Sequence, residues 1–466
     1  MKKENKKEKK ESASLRKKKD EALKLSIIEG AAASASSGVS ASYITPFALK
    51  LAAQPIHIGI ISSLASLISP LAQLKGSSLM SKYHRKSIAV KAVLIQALLW
   101  IPISILALLA WKGIATDYLL YSLIIVYTLL IALGGLAHPS WFCWMGDLVK
   151  EKERGRYFSK RGRITGLVDL IAALISVILL QTLENENYAL IGFAILFFFS
   201  FIFRFVSFKL LEVQYSPHLR PKKSYKINWK EFQKNNKNFK KFAVYQMFFN
   251  LAIMIASPFF AIYMLEELKF SYITFVIVGL SSTVFYLLFM AWVGKTSDKY
   301  GNLKLLYISN IAFALNPLLW IFIKSPLMLI LIPQLVSGVA NAAFVIAFSN
   351  FTYDSLREEE RGAGIAYVNL LVGIGSFFGA IIGGILLNYV TISFMNKFFF
   401  VFALAASMRF ITIFIFLPRI KEEKRVCKAP YLMSLIIHPF RTIQHESKHF
   451  SFHAHNGKFK NLKHVA

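Results

Sequence analysis

The feature that most constrains this chain is a series of apolar stretches, each long enough to cross a bilayer, separated by short charged intervals. A helix needs roughly 20 apolar residues to cross ~30 Å of hydrocarbon at ~1.5 Å per residue. Reading in that window marks spans at 26–49, 56–79, 88–111, 118–143, 164–182 and 188–211, then at 242–265, 271–294, 305–323, 326–351, 364–387 and 395–417. The first is the weakest, because it is rich in Ser and Ala. Backbone polar groups in lipid must be paired internally, so the fold class is an all-α membrane protein of twelve transmembrane helices. Hydrophobic residues make up 55% of the chain and charged residues only 17%, with the charges clustered between the spans. That distribution excludes a soluble globule.

A net charge of +30 would suggest a nucleic-acid partner in a soluble protein. Here the basic residues fall in alternate loops and in the two tails, so no nucleic-acid partner is expected. Lys82, Arg85, Lys86, the segment from Lys150 to Arg163 and the interval near 212–241 carry most of them, whereas the other loops hold little beyond Lys50, Lys112, Lys269, Lys324 and Lys397. The positive-inside bias therefore predicts both termini in the cytoplasm of a multi-pass plasma-membrane protein. The Lys-rich start reads as a cytoplasmic arm attracted to anionic lipid, not as a signal peptide. Cys143 and Cys427 cannot make a disulfide framework, and a reduced state is expected.

An internal repeat organises the spans. Asp147 to Gly155 follows the fourth span and Asp354 to Gly362 follows the tenth; both run Asp, six residues, Arg-Gly, 207 positions apart. Arg204-Phe205 and Arg409-Phe410 stand near the ends of the sixth and twelfth spans. Thr45-Pro46-Phe47 in the first span matches Ser257-Pro258-Phe259 in the seventh. Six is an even number, so the halves are parallel repeats. The expected organisation is a basic arm (1–25), a first half (26–211), a cytoplasmic linker (212–241), a second half (242–418) and a His-containing tail (419–466). Within the linker, Ile227, Trp229, Phe232 and Phe239 suggest a short interfacial helix.

The loop after the eighth span reads Gly294-Lys295-Thr296-Ser297-Asp298-Lys299-Tyr300-Gly301-Asn302-Leu303-Lys304. Together with the duplication, it resembles the major facilitator superfamily, whose loop motif runs Gly, three residues, Asp, Arg or Lys, one residue, Gly and basic residues. The corresponding loop of the first half keeps Gly76 and the basic end but carries Met80 where the Asp should stand. The resemblance implies alternating access: two halves rocking about a cavity lined chiefly by spans 1, 4, 7 and 10. It also implies that Asp298, with Gly294, Lys299 and Gly301, latches the cytoplasmic side against the start of span 5.

Several residues are candidates for specific roles. Asp147 with Arg154 beside Gly155, and Asp354 with Arg361 beside Gly362, can pair locally or with Arg204 and Arg409. Ser37, Tyr43, Tyr127, Gln246, Asn250, Gln334 and Asn341 are candidate cavity contacts. Their neutral hydrogen-bonding groups suit a polar, uncharged or weakly charged solute, although such residues also mediate helix packing. His138, before Pro139, either contacts substrate or satisfies a backbone carbonyl. Asp169 is a candidate for coupling to protons or Na+. Glu29 reads as interfacial. Gly375, Gly379 and Gly383 read as a helix-packing seam. His445, His449 and His453 share a four-residue spacing, but no metal site and no cofactor are expected. The chain reads as a secondary active or facilitative transporter of a small solute, the alternatives being a membrane-embedded enzyme acting on a lipid or a non-transporting sensor on the same fold; a monomer is expected.

Overall fold

The computed structural model describes residues 2–149, 154–217, 229–357, 360–390 and 395–422. The side chains of 2–16, 154–155, 229–231, 291, 294–300 and 362–363 are not among those it describes. The described chain is helical throughout, and eleven of its helices are long and apolar enough to cross a membrane. These are spans 2 to 6 (Pro55–Leu79, Arg85–Trp111, Thr116–Leu148, Arg156–Asn185 and Ala189–Val213) and spans 7 to 12 (Lys237–Glu267, Tyr272–Met290, Asn302–Phe322, Pro326–Ser355, Gly364–Tyr389 and Lys397–Arg419). The remaining element, span 1, is the end of a helix over Lys2–Gly38 followed by short helical segments at Ala41–Tyr43 and Ile44–Lys50. It packs against spans 5 and 6, which completes the twelve-helix arrangement. The linker supplies a short helix, Trp229–Asn235, and Phe232 packs edge-on against Phe239 of span 7 and Tyr367 of span 11.

The duplicated Pro motif breaks both first helices of the halves. Proline lacks an N–H and crowds the carbonyl four residues back, so the regular ladder cannot continue through it. In span 7 the helix Lys237–Met254 gives way to a 3₁₀ turn at Ser257–Phe259. There the Ala256 N–H bonds the Ile253 carbonyl at 3.3 Å instead of the Ala252 carbonyl. Span 1 does the same before Pro46, where Tyr43 N–H bonds the Ser40 carbonyl at 3.0 Å.

Glycines set how closely the helices approach. A Cβ at Gly375, Gly379 or Gly383 would strike the carbonyl oxygens of Met247, Leu251 and Ile255, so span 11 lies directly on the backbone of span 7. The expected glycine seam is therefore present. Spans 2 and 11 join the two halves.

The buried core divides by depth. One cluster joins both halves at the face opposite the termini, with Tyr43, Phe47, Phe193 and Phe197 meeting Phe259, Tyr263, Tyr272 and Phe402. Toward the termini the core splits. Trp144, Met145, Phe208 and Leu211 belong to the first half, while Phe242, Phe249, Leu306 and Phe351 belong to the second. The halves are thus sealed together at the far face, and their cores separate toward the termini.

Candidate functional site: two arginine pockets

Each half encloses a pocket beside the corresponding arginine of the repeat. In the second half a cavity of about 380 Å³ lies among spans 7, 9, 10 and 12. Asn250, Ser257, Asn316, Gln334, Ser337, Asn341 and Arg409 supply its polar lining, and Phe260, Phe313, Trp320 and Phe344 its aromatic walls. Three of the expected cavity residues, Asn250, Gln334 and Asn341, meet here. Gln246, one turn before Asn250, is fully buried instead, and its carbonyl accepts from Asn250 Nδ2 at 2.8 Å.

Arg409 lies inside span 12, ten residues before its end, and not near that end as the sequence windows placed it. It is 3% exposed and donates to three backbone carbonyls: Ala252 at 3.4 Å, Ile253 at 3.1 Å and Phe313 at 2.6 Å. The reason lies in the broken helix. The Pro258 break leaves the Ala252 carbonyl without its usual helical donor, and a buried guanidinium takes the nearest acceptors.

In the first half a cavity of about 280 Å³ is lined by Glu29, Gly134, His138, Trp141, Arg161 and Arg204, among others. Arg204 donates twice to Gln96 Oε1, at 2.8 and 2.6 Å, and to Ser207 Oγ at 3.4 Å. Ser207 in turn donates to Glu29 at 2.9 Å, and Arg161 pairs with Glu29 at 3.1 Å. Arg161 also donates to the Ser26 carbonyl and lies 4.4 Å above the Trp141 ring. Glu29 is 3% exposed at the centre of this network, buried against protein partners. Arg161, read from the sequence only as a topology-setting charge, is its partner. The signal available was a lone carboxylate in an apolar stretch, which is costly in lipid unless paired.

The remaining candidates are dispersed. Tyr43 is not in a cavity: its hydroxyl donates to the Ala173 carbonyl at 2.7 Å within the far-face seal. Tyr127 packs against the same seal, and Ser37 is exposed. His138 lines the first-half pocket and stacks on Phe142 at 6.3 Å. Asp169 sits near the middle of the helix Arg154–Asn185, which begins ten residues before the apolar window read from the sequence. Neither Asp of the repeated loops meets Arg204 or Arg409. Asp147 pairs with Arg85 at the start of span 3, and Asp354 accepts from Asn302 Nδ2 at 2.8 Å at the start of span 9. Each acid thus faces the first turn of the neighbouring helix, where the macrodipole favours negative charge. Arg361 donates to the Tyr353 carbonyl and lies over its ring. Helical backbone runs through Gly294, Asp298 and Lys299 up to Gly301, which has a φ of 96°. The side chains of Asp298, Lys299 and Arg154, and the surroundings of Gly155, Gly294 and Gly362, lie outside the described residues, as do the linker's Ile227 and the tail histidines.

Two parallel six-helix halves, sealed at one face and each holding a polar pocket, define a polytopic membrane transporter. The family model for the major facilitator superfamily matches residues 25–249 and 242–430, and the chain belongs to that family. It is 32% identical over 97 residues to the class B tetracycline resistance protein of Escherichia coli; the match covers 21% of this chain and only 24% of that relative. Its fold is similar to that of the nucleoside transporter NupG, at a TM-score of 0.64 and 15% identity over 85% of this chain and 100% of the other. A D-xylose-proton symporter superposes at a TM-score of 0.62 and 14% identity, over 87% of this chain and 98% of the other. The chain is a secondary transporter.

Proposed function

We propose that this transporter binds a small polar solute in the second-half pocket and releases it by rocking the two halves about the far-face seal. The observation that carries this reading is the convergence of Asn250, Gln334, Ser337 and Asn341, from spans 7 and 10, on one cavity at the depth of the Pro258 break. A cavity of about 380 Å³ suits a solute the size of a sugar or nucleoside. Nucleoside and xylose in the names of the similar structures, and tetracycline in that of the relative, are also small polar solutes. With the cores joined at the far face and separate toward the termini, the conformation is open to the side that carries the termini.

The loop charges support a plasma-membrane orientation with both termini in the cytoplasm, so the conformation is inward-open. Asp169, mid-helix and without an ion pair among the described residues, is the group we assign to coupling, with protons or Na+ as the partner. Asp298 is the cytoplasmic latch, and the lost acid at Met80 makes that latch one-sided.

The test is a thermal-shift screen of the purified protein against sugars, amino acids, nucleosides and organic ions, followed by proteoliposome uptake of each hit. Uptake should saturate, and Asn341→Ala and Gln334→Ala should raise the half-saturating concentration by about tenfold each. Unchanged uptake in both variants would place binding elsewhere.

A further inference from the structure

The two pockets differ in one respect that bears on what they hold. Both contain an arginine at the corresponding place in the repeat, but the first-half pocket carries its own carboxylate, Glu29. Among the described residues lining the second-half pocket there is no Asp or Glu at all. Among the described residues the Arg409 guanidinium hydrogen-bonds only to backbone carbonyls, which supply dipoles and no countercharge. An ionised group buried at this depth without an opposite charge is costly, and the cost falls when a ligand brings that charge.

Two further groups are left waiting in the same cavity. Trp320 is 2% exposed and its indole Nε1–H has no acceptor. Asn316 presents a buried amide oxygen without a donor. A ligand that completes this set needs a negative oxygen for Arg409, an acceptor for Trp320 and a hydroxyl to donate to Asn316. Phe260, Phe313 and Phe344 leave space between apolar walls for its carbon skeleton.

We propose that the second-half pocket is the binding site for a small hydroxylated monocarboxylate, its carboxylate held by Arg409 and its hydroxyls by the surrounding amides. One guanidinium without a countercharge is neutralised by one carboxylate. A phosphomonoester, carrying nearly two negative charges at neutral pH, would leave the site net negative. This proposal rests on the transporter reading above and names the class of its solute. The neutral amides alone would have suggested an uncharged solute; Arg409 makes the site anion-selective.

The experiment uses the full chain in detergent and follows its melting temperature with gluconate, glucuronate and glycerate up to ~10 mM. The controls are glucose, the glucuronate methyl ester and glucose 6-phosphate. At least one carboxylate should raise the melting temperature in a saturable manner, with an apparent Kd at least ~10-fold below that of its uncharged counterpart and of the phosphate ester. Arg409→Gln also removes the hydrogen bonds that hold the Pro258 break, so a folding defect there would say nothing about the ligand. Asn316→Asp is the decisive variant. It keeps those bonds and places a carboxylate in the pocket, so the carboxylate-dependent shift should fall at least ~10-fold while the ligand-free protein melts no lower than wild type. Equal stabilisation by neutral and charged compounds, preference for the phosphate ester, no shift with any carboxylate, or an undiminished shift in Asn316→Asp would each overturn the proposal. If glucose or another neutral solute binds and is taken up, the transporter reading stands and only the anion assignment falls.

Discussion

Replacing Glu29 by Gln removes the one carboxylate in the first-half network while keeping its shape. The Glu29 side chain is 4% exposed and its Arg161 partner 18%, so solvent screens the pair weakly. Breaking one partner of a buried pair costs about 3–5 kcal/mol, because the other charge is left without compensation. Arg161 keeps the Ser26 carbonyl and the Trp141 ring, a contact worth about 1 kcal/mol, which places Glu29→Gln near the lower end, at ~3 kcal/mol. Arg161→Gln should cost about the same or slightly less, since Glu29 would keep the Ser207 hydroxyl and the nearby charge of Arg204. The double variant should cost only slightly more than either single one, giving a coupling energy of about 2–3 kcal/mol. Reversible unfolding in mixed micelles, followed by circular dichroism, measures all four corners of the cycle. Single effects that add to within ~0.5 kcal/mol would refute the claim that this pair is buried and energetically coupled.

Three further outcomes follow from the same account. Gly379→Val drives a side chain into the Leu251 carbonyl and should destabilise by about 2–3 kcal/mol, whereas Gly146→Ala, with open space at its Cβ position, should change stability by less than ~1 kcal/mol in the same unfolding assay. Asp169→Asn should abolish ion-driven accumulation of solute in proteoliposomes while leaving solute counterflow within about twofold of wild type; equal loss of both would remove Asp169 from coupling and make it structural. Asp298→Asn should shift the protein toward the inward-open state, read as increased labelling of cysteines placed along the termini-facing half of span 10; unchanged labelling would sink the latch assignment.

The spans and the duplication were legible because lipid leaves the backbone few choices and because period-four glycines such as Gly375, Gly379 and Gly383 can pack only one way. Asn250, Gln334 and Asn341 were legible for a related reason: polar side chains in apolar helices need a polar neighbour, and spans 7 and 10 supply it. The partners of Glu29 were not legible because Arg161 arrives from span 5, more than 130 residues along the chain, and a linear pattern does not show that the two helices meet. Tyr43 was misread because its hydroxyl is satisfied by a backbone carbonyl, which leaves no trace in sequence. The role proposed for Arg409 depends on there being no acid among the described residues that line its pocket from three other helices, and a linear pattern cannot show which faces converge.

The central claim is that the halves rock about the far-face seal. Spin labels test it directly in protein whose Cys143 and Cys427 have been replaced by Ser. One pair spans the far face at Asp117 and Ser325, and the other spans the termini face at Lys82 and Arg357; all four positions are exposed. Pulsed dipolar distances in nanodiscs should show two populations on each face, with the far-face pair lengthening as the termini-face pair shortens. Asp298→Asn should change their ratio. A single fixed distance on both faces in wild type and variant, or two pairs that lengthen together, would contradict alternating access in this protein.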